Sequence, residues 1–137
     1  MENLVKDFLK QKRFAVAGSF RNESKYAYKI VKTFIKKGYE VYPVNPRVND
    51  VEGVKCYKSI NDIPYRVDVV NVVTPPLVTE KIIRECHEKA IKRVWLQPGA
   101  ESVTSIKFCR DNDINVIYGL CVMTEEINKR RINDQKN

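Results

Sequence analysis

The chain has 137 residues, of which 43% are hydrophobic, and its formal net charge is +8 at pH 7. This is the length of one domain with a substantial core, and no apolar run is long enough to cross a membrane. The first residues lack the layout of a signal peptide, so we expect a cytoplasmic protein. The excess of 25 basic over 17 acidic side chains indicates an anionic partner, either a phosphorylated metabolite or a nucleic acid.

Apolar periodicity divides the chain into alternating helices and strands. In chain order we predict a helix over 2–12, a strand over 13–18, a helix over 25–37, a strand over 39–44, a strand over 67–73, a helix over 77–90, a strand over 92–96, a helix over 102–112 and a strand over 114–118. This alternation indicates a parallel sheet with right-handed crossovers. We therefore predict an α/β fold, a single doubly wound five-stranded sheet in the order 3-2-1-4-5, with helices on both faces.

The domain is predicted to occupy residues 1–126, followed by a basic C-terminal tail over 127–137. The basic residues of the tail include Lys129, Arg130, Arg131 and Lys136. One such cluster is weak evidence for nucleic-acid binding, which we therefore disfavour.

The four cysteines are far apart in the sequence, at Cys56, Cys86, Cys109 and Cys121. None belongs to a Cys-x-x-Cys pair, so their spacing supports neither a zinc site nor a redox dithiol. We expect free thiols in a reducing cytoplasm and no bound metal.

The first strand leads into a polar loop that contains a glycine. Gly18 is able to adopt positive φ angles and lets a ligand approach the backbone, and Ser19 supplies a hydroxyl. The next helix is predicted to begin near Ser24 or Lys25, with Ser24 as its N-cap. Its free N–H groups favour a phosphate, and Arg21 and Lys25 add positive charge. The alternative is a solvated turn with ordinary surface cations.

Three further strands also end in loops with distinctive residues. The second strand is followed by Asn45, Pro46 and Arg47, the third by Thr74, Pro75 and Pro76, and the fourth by Gln97, Pro98 and Gly99. Ligands of open α/β sheets bind outside the carboxyl ends of the strands. Each loop alone is explained by the need for a turn residue, but four of them on one edge predict a binding site.

The first loop does not match the dinucleotide fingerprint Gly-x-Gly-x-x-Gly. Phe20 and Glu23 stand where the second and third glycines belong, and Asn45 stands where a carboxylate would bind the ribose. NAD is therefore disfavoured. Arg47 could bind a 2′-phosphate, so an NADP-binding enzyme or redox-sensing domain on the same fold is the alternative.

Four stretches form one pattern: Gly18 and Ser19 with Asn22, Lys25 and Tyr26; residues 38–46; residues 67–76; and residues 94–99. Together they resemble the small stand-alone CoA-binding proteins, which are similar to the Rossmann-like CoA-binding domain of the succinyl-CoA synthetase alpha subunit. The likeness covers about residues 12–126. Cys121 falls where members often have a cysteine, and Glu125 or Glu126 lies near the family's glutamate. The chain departs from the family at Ala27, where a glycine is usual.

The resemblance implies a protein that binds coenzyme A or an acyl-CoA. The expected contacts are Gly18, Ser19, Arg21 and Lys25 at the diphosphate; Asn45 and Arg47 toward the adenosine; Thr74, Pro75 and Pro76 as an apolar wall; and Gln97 and Gly99 beside the pantetheine. Asn22, Tyr26 and Pro46 are further expected site residues. Cys121 is a candidate thiol contact that could form a mixed disulfide with CoA.

No catalytic constellation is visible in the sequence. The only histidine, His87, is predicted on the solvent side of a helix, and no Ser-His-acid set or carboxylate pair can be assembled. We therefore expect a non-catalytic nucleotide-binding protein that acts as a carrier, sensor or subunit. The sequence leaves open whether it forms a homodimer or has a protein partner.

Overall fold

The computed structural model describes residues 1–136, with side chains described as far as Lys129. The strands are β1 Arg13–Gly18, β2 Glu40–Val44, β3 Asp50–Val51, β4 Val54–Lys55, β5 Val69–Val73, β6 Arg93–Leu96 and β7 Asn115–Ile117. The helices are α1 Glu2–Leu9, α2 Tyr26–Lys36, α3 Pro76–Glu88, α4 Val103–Asp111 and α5 Val122–Lys136, and a 3₁₀ turn spans Ile60–Asp62. Every element predicted between residues 2 and 118 is present, with ends that differ by no more than three residues.

The main sheet has five parallel strands in the order β2-β1-β5-β6-β7. The predicted fold class is confirmed, but the predicted order is wrong. Counted over the five strands of this sheet, the order is 2-1-3-4-5 and not 3-2-1-4-5, because β5 pairs with the free side of β1 and not with β2. Strands β3 and β4 form a separate antiparallel hairpin.

Pro43 explains why β2 lies at the edge of the sheet. The N–H of Glu40 donates to the Lys12 carbonyl on the β1 side. Because backbone groups alternate along a strand, the backbone nitrogen of Pro43, three residues on, faces the opposite side. Proline has no N–H to give to a second ladder. On that side the Pro43 carbonyl accepts from the N–H of Tyr57, and the N–H of Asn45 donates to the Tyr57 carbonyl, which closes the edge with a single bridge.

The two faces of the sheet carry separate apolar layers. One layer contains the aromatic rings Phe8, Phe14, Phe34 and Trp95 under α1, α2 and the start of α5. The other is built mainly from aliphatic and thiol side chains, with the ring of Tyr42, under α3, α4 and the 3₁₀ turn. Helices therefore cover both faces, as predicted, and each loop after a strand is anchored at a buried end.

All four cysteines are free thiols. Burial raises the pKa of Cys56 and Cys109 to about 11 and also raises that of Cys86, which keeps these thiols protonated and unreactive. Cys121 is half-buried and lies directly before α5. It is therefore the most accessible of the four thiols.

Helix α5 continues through most of the segment predicted as a tail, as far as Lys136. The side chains of Arg130, Arg131 and Lys136 in the predicted basic cluster lie outside the described residues. No helix among the described residues is long and apolar enough to cross a membrane.

Candidate functional site

The strand register brings the four predicted loops to one edge of the sheet. Gly18 at the end of β1 aligns with Val73 at the end of β5, and Ala17 aligns with Val44 at the end of β2. The N–H of Gln97, just after β6, donates to the Val72 carbonyl at 3.0 Å. We call this the carboxyl edge. Helix α2 leaves it on one face and α3 on the other, so β1 and β5 flank the topological switch point where ligands of such sheets bind.

Position 18 needs a glycine because of close packing and not because of its backbone conformation. The φ angle of Gly18 is not in the positive range that favours glycine, unlike that of the four other glycines. A Cβ atom at this position would lie 2.6 Å from the Cβ of Ala27 and 3.0 Å from the Val73 carbonyl oxygen. The first turn of α2 thus rests directly on the end of β1. The methyl group of Ala27 is buried in this contact. Because Gly18 has no side chain, an alanine fits at position 27, where the family usually has a glycine.

The start of α2 is an uncapped helix end. Its N-cap is Lys25, with no side-chain hydrogen bond to the helix, so the prediction of Ser24 as the cap is wrong. Both the N–H and the hydroxyl of Ser24 donate to the Asn22 carboxamide oxygen, which closes a local turn. The first-turn N–H groups of α2 are therefore left for solvent or a ligand.

The preceding loop offers further unused donors. The backbone N–H groups of Ser19, Phe20 and Arg21 donate to no protein atom among the described residues. The Phe20 ring is buried in the core and anchors the loop beside α2. In the sequence Phe20 stands out only as a misfit to the glycine fingerprint; an apolar residue within a polar loop is the signal for this anchor.

Three cations surround this loop. Arg21 and Arg47 are exposed and Lys25 is half-exposed, and none of them forms a salt bridge with any residue from 1 to 129. Their charges are therefore free to neutralise an anion at the start of α2.

Asn45 ties the first two loops together. Its Nδ2 donates to the Gly18 carbonyl at 2.6 Å, and its Oδ1 accepts from the N–H of Arg47 at 2.8 Å. An aspartate here would place a carboxylate against the Gly18 carbonyl with no proton to share. The acidic residue of the dinucleotide fingerprint is thus incompatible with this contact. Pro46 follows as an exposed residue.

The third loop is the exposed start of α3. Pro75 is the N-cap and Pro76 the first helical residue, a position where proline costs no hydrogen bond. The Thr74 hydroxyl lies 2.8 Å from that of buried Thr79, which ties this loop to its helix. Leu77, 76% exposed, extends the predicted apolar wall.

Gln97, predicted to border the pantetheine, is buried and does not reach the surface of the carboxyl edge. It is 1% exposed; its Nε2 donates to Asn71 Oδ1 at 3.3 Å, and its Oε1 accepts from the N–H of Val122 at 3.0 Å. Its amide thus caps the start of α5. Gly99 is exposed, with φ +95°, and its N–H donates to Glu101 Oε2. Of the fourth loop's predicted contacts, only Gly99 is accessible from outside.

Tyr26 and Cys121 lie together where α2 and α5 begin. Burial raises the pKa of the Tyr26 hydroxyl to about 12, and the adjacent Cys121 thiol acts in the same direction. The hydroxyl oxygen is buried and has no hydrogen-bond partner among the described residues. A neutral phenol therefore borders both the accessible thiol and the Met123 backbone, which acts to lower the pKa of the hydroxyl.

The chain is similar in sequence and fold to known proteins. Residues 12–126 match the family described as the CoA binding domain. The chain is 35% identical over 81 residues to an ADP-forming acetate–CoA ligase of Methanocaldococcus jannaschii, a match that covers 59% of this chain and 12% of the ligase. It is 28% identical over 119 residues to Bacillus subtilis YneT, covering 86% of this chain and 88% of that protein. A solved structure of a conserved hypothetical protein from Pyrococcus furiosus is 38% identical with a TM-score of 0.80, covering 84% of this chain and 99% of that one.

Proposed function

Because this chain belongs to the CoA-binding domain family, we propose that it binds coenzyme A or an acyl-CoA at the carboxyl edge of its sheet. The observation that carries the proposal is the uncapped start of α2, with loop N–H groups and three cations around it that have no partner among residues 1–129. CoA bears a diphosphate and a 3′-phosphate, and a helix N-terminus with nearby cations suits such groups.

In this proposal the diphosphate lies over Gly18 and Ser19, against the N–H groups from Ser19 to Arg21 and the first turn of α2. Arg21 and Lys25 neutralise its charge. Arg47, held beside the first loop through Asn45, faces the adenosine end. The exposed prolines at the start of α3 form one wall, and Gly99 borders the far side.

The thiol end of the ligand is proposed to reach Cys121. An exchange with CoA disulfide would join the Cys121 sulfur to one CoA and release the other CoA as its thiol. Such an adduct should appear by intact-mass spectrometry after incubation with CoA disulfide and disappear in Cys121→Ser. An adduct that persists in Cys121→Ser would contradict this part of the proposal, because the other three thiols are buried.

We further propose that the protein binds without catalysing a reaction of its own, as a carrier, sensor or subunit in the reducing cytoplasm. The chain spans about an eighth of the acetate–CoA ligase that it matches. That ligase activity therefore belongs to a much longer protein. Four free thiols suit a reducing compartment.

The test is calorimetric titration with CoA, with NAD, NADP and ATP run alongside. Lys25→Ala should weaken CoA binding about tenfold, the effect of one lost charge contact at a partly buried site. Lys32→Ala, which removes an exposed lysine two turns further along α2, is the matched control and should bind as the parent does. Binding of NADP without CoA would overturn the proposal and make Arg47 the residue to examine.

A further inference from the structure

A second cationic region lies where β1 and β2 begin, at the opposite end of the sheet from the carboxyl edge. It is a cleft of about 380 Å³ between the end of α1, the corner from α2 into β2, and α5. We call it the amino-edge cleft. Among the residues with described side chains, four lysines and one acid line it, namely Lys10, Lys12, Lys37, Lys129 and Glu126. The length of β1 separates the two regions by about 20 Å.

Glu126 is the single acid among the described residues that line the cleft, and it is already paired. Glu126 is 4% exposed; its Oε2 accepts from the Tyr39 hydroxyl at 2.9 Å, and its Oε1 lies 3.6 Å from Lys37 Nζ. Lys129 Nζ donates to the Leu9 carbonyl at 2.9 Å and to the Tyr39 hydroxyl at 3.3 Å. The carboxylate is therefore neutralised by one lysine, and the other lysines of the cleft keep their charge.

The charge of the cleft stays positive when the backbone is included. Helices α1 and α2 both end here, and a helix C-terminus carries about half a negative charge. Counted over residues 1–129, four lysines against one glutamate and two helix ends leave an excess of about two positive charges. Lys10 also forms an ion pair with Asp7 at 3.9 Å, and Asp7 is paired in addition with Arg93 at 2.8 Å.

Two of these lysines have ammonium N–H groups that remain available to a ligand. The Lys37 side chain is 11% exposed, and Glu126, at 3.6 Å, is its one ion-pair partner among the described residues, although an ammonium carries three N–H groups. Lys12 is exposed, and its Nζ has no partner within residues 1–129. A recessed ammonium and a free one thus face the same cleft.

We propose that the amino-edge cleft binds a small oxyanion, the phosphate group of inorganic phosphate or of a small phosphomonoester. Lys37 and Lys12 contact the anion, and the Tyr39 hydroxyl, to which Lys129 donates, holds Glu126 away from it. The cleft volume is at the small end of ligand sites, and Lys37 is recessed, so a compact anion fits better than the backbone of a duplex nucleic acid.

The test is a titration of ¹⁵N-labelled protein with inorganic phosphate at constant ionic strength, followed by NMR. The amide signals of Gly38 and Tyr39 should shift and saturate. Lys12→Gln should weaken this binding about fivefold, whereas Lys81→Gln, the same charge change at an exposed site on α3, should leave it unchanged. Glu126→Gln should tighten it, because the isosteric amide keeps the Tyr39 contact and releases Lys37.

Parallel titrations with glycerol phosphate and duplex DNA distinguish the sources of the phosphate. Saturation by phosphate or by the ester supports the proposal and identifies the form preferred. The proposal fails if Gly38 and Tyr39 do not saturate, if Lys12→Gln behaves like Lys81→Gln, or if Glu126→Gln does not tighten binding. Binding of DNA alone, with a steep salt dependence, also overturns it. Signals of residues 19–25 and the Lys25→Ala variant report separately on the carboxyl edge.

Discussion

The two edges of the sheet arrange positive charge in opposite ways. At the carboxyl edge the helix end is uncapped and its three cations have no carboxylate partner among the described residues. At the amino edge the lysines surround two helix C-termini and a buried glutamate. In a parallel α/β fold every crossover helix runs back against the strands, so helix N-termini gather at one edge and C-termini at the other. The carboxyl edge therefore attracts anions through its backbone, while the amino edge must do so through side chains.

The largest expected effect is on the buried ion pair of the amino edge. Lys37→Met should lower the free energy of unfolding by about 3–5 kcal/mol, because it leaves the Glu126 carboxylate buried without its cation. Chemical denaturation measures the change. Lys36→Met, at the exposed neighbour, is the control, and Lys37→Met combined with Glu126→Leu should regain most of the loss. An unchanged stability in Lys37→Met would show that Glu126 is not held as a buried charge.

Gln97→Leu tests whether the Gln97 side chain stabilises the fold or contacts a ligand at the carboxyl edge. It removes the partners of Asn71 Oδ1 and of the Val122 N–H, both buried, and should cost about 2–3 kcal/mol. Lys25→Ala should leave the unfolding midpoint unchanged and weaken CoA binding. If Gln97→Leu left stability intact and only lowered CoA affinity, its side chain would be a ligand contact after all.

Asn45→Asp tests the bond between the first two loops. The Nδ2 donor to the Gly18 carbonyl is lost, so we expect about 1–2 kcal/mol lower stability and weaker CoA binding, measured by denaturation and calorimetry. The variant acquires the acidic residue of the dinucleotide fingerprint but should gain no affinity for NAD. A gain of NAD binding would contradict our account of this loop.

The smallest effect concerns Asp7 near the amino edge, where hydrogen bonding to Arg93 lowers the pKa of the carboxyl. Because the pKa of Asp7 is lower in the folded than in the unfolded protein, its ion pair stabilises the fold at pH values above the unfolded-state pKa, near 4. This stabilisation is lost as the pH falls through the folded-state pKa. Asp7→Asn should therefore cost about 0.5 kcal/mol at pH 7, and the difference should vanish in acid. A difference that persists at pH 2 would rule out the ion pair as its cause.

The strand order shows how a local signal can be present and still be overlooked. The valine-rich run of β5 and the loops after each strand follow from apolar periodicity and turn residues. Pro43 lies in β2 and shows that one side of this strand cannot form a ladder. The spacing of the elements alone does not show whether the third strand pairs with β1 or with β2. Pro43 shows that it pairs with β1, because the outer side of β2 cannot form a ladder.

The sequence by itself determined the fold class, the approximate positions of the main helices and strands up to residue 118, the meeting of four loops at one edge and the resemblance to CoA-binding proteins. These depend on local periodicity, turn chemistry and motifs that lie within short stretches of chain. The tertiary structure alone decided that Gly18 is needed by Ala27, that Gln97 is internal, and that Leu9 and Lys129 meet across 120 residues. Contacts of this kind depend on how helices rest on the sheet, which no local pattern encodes.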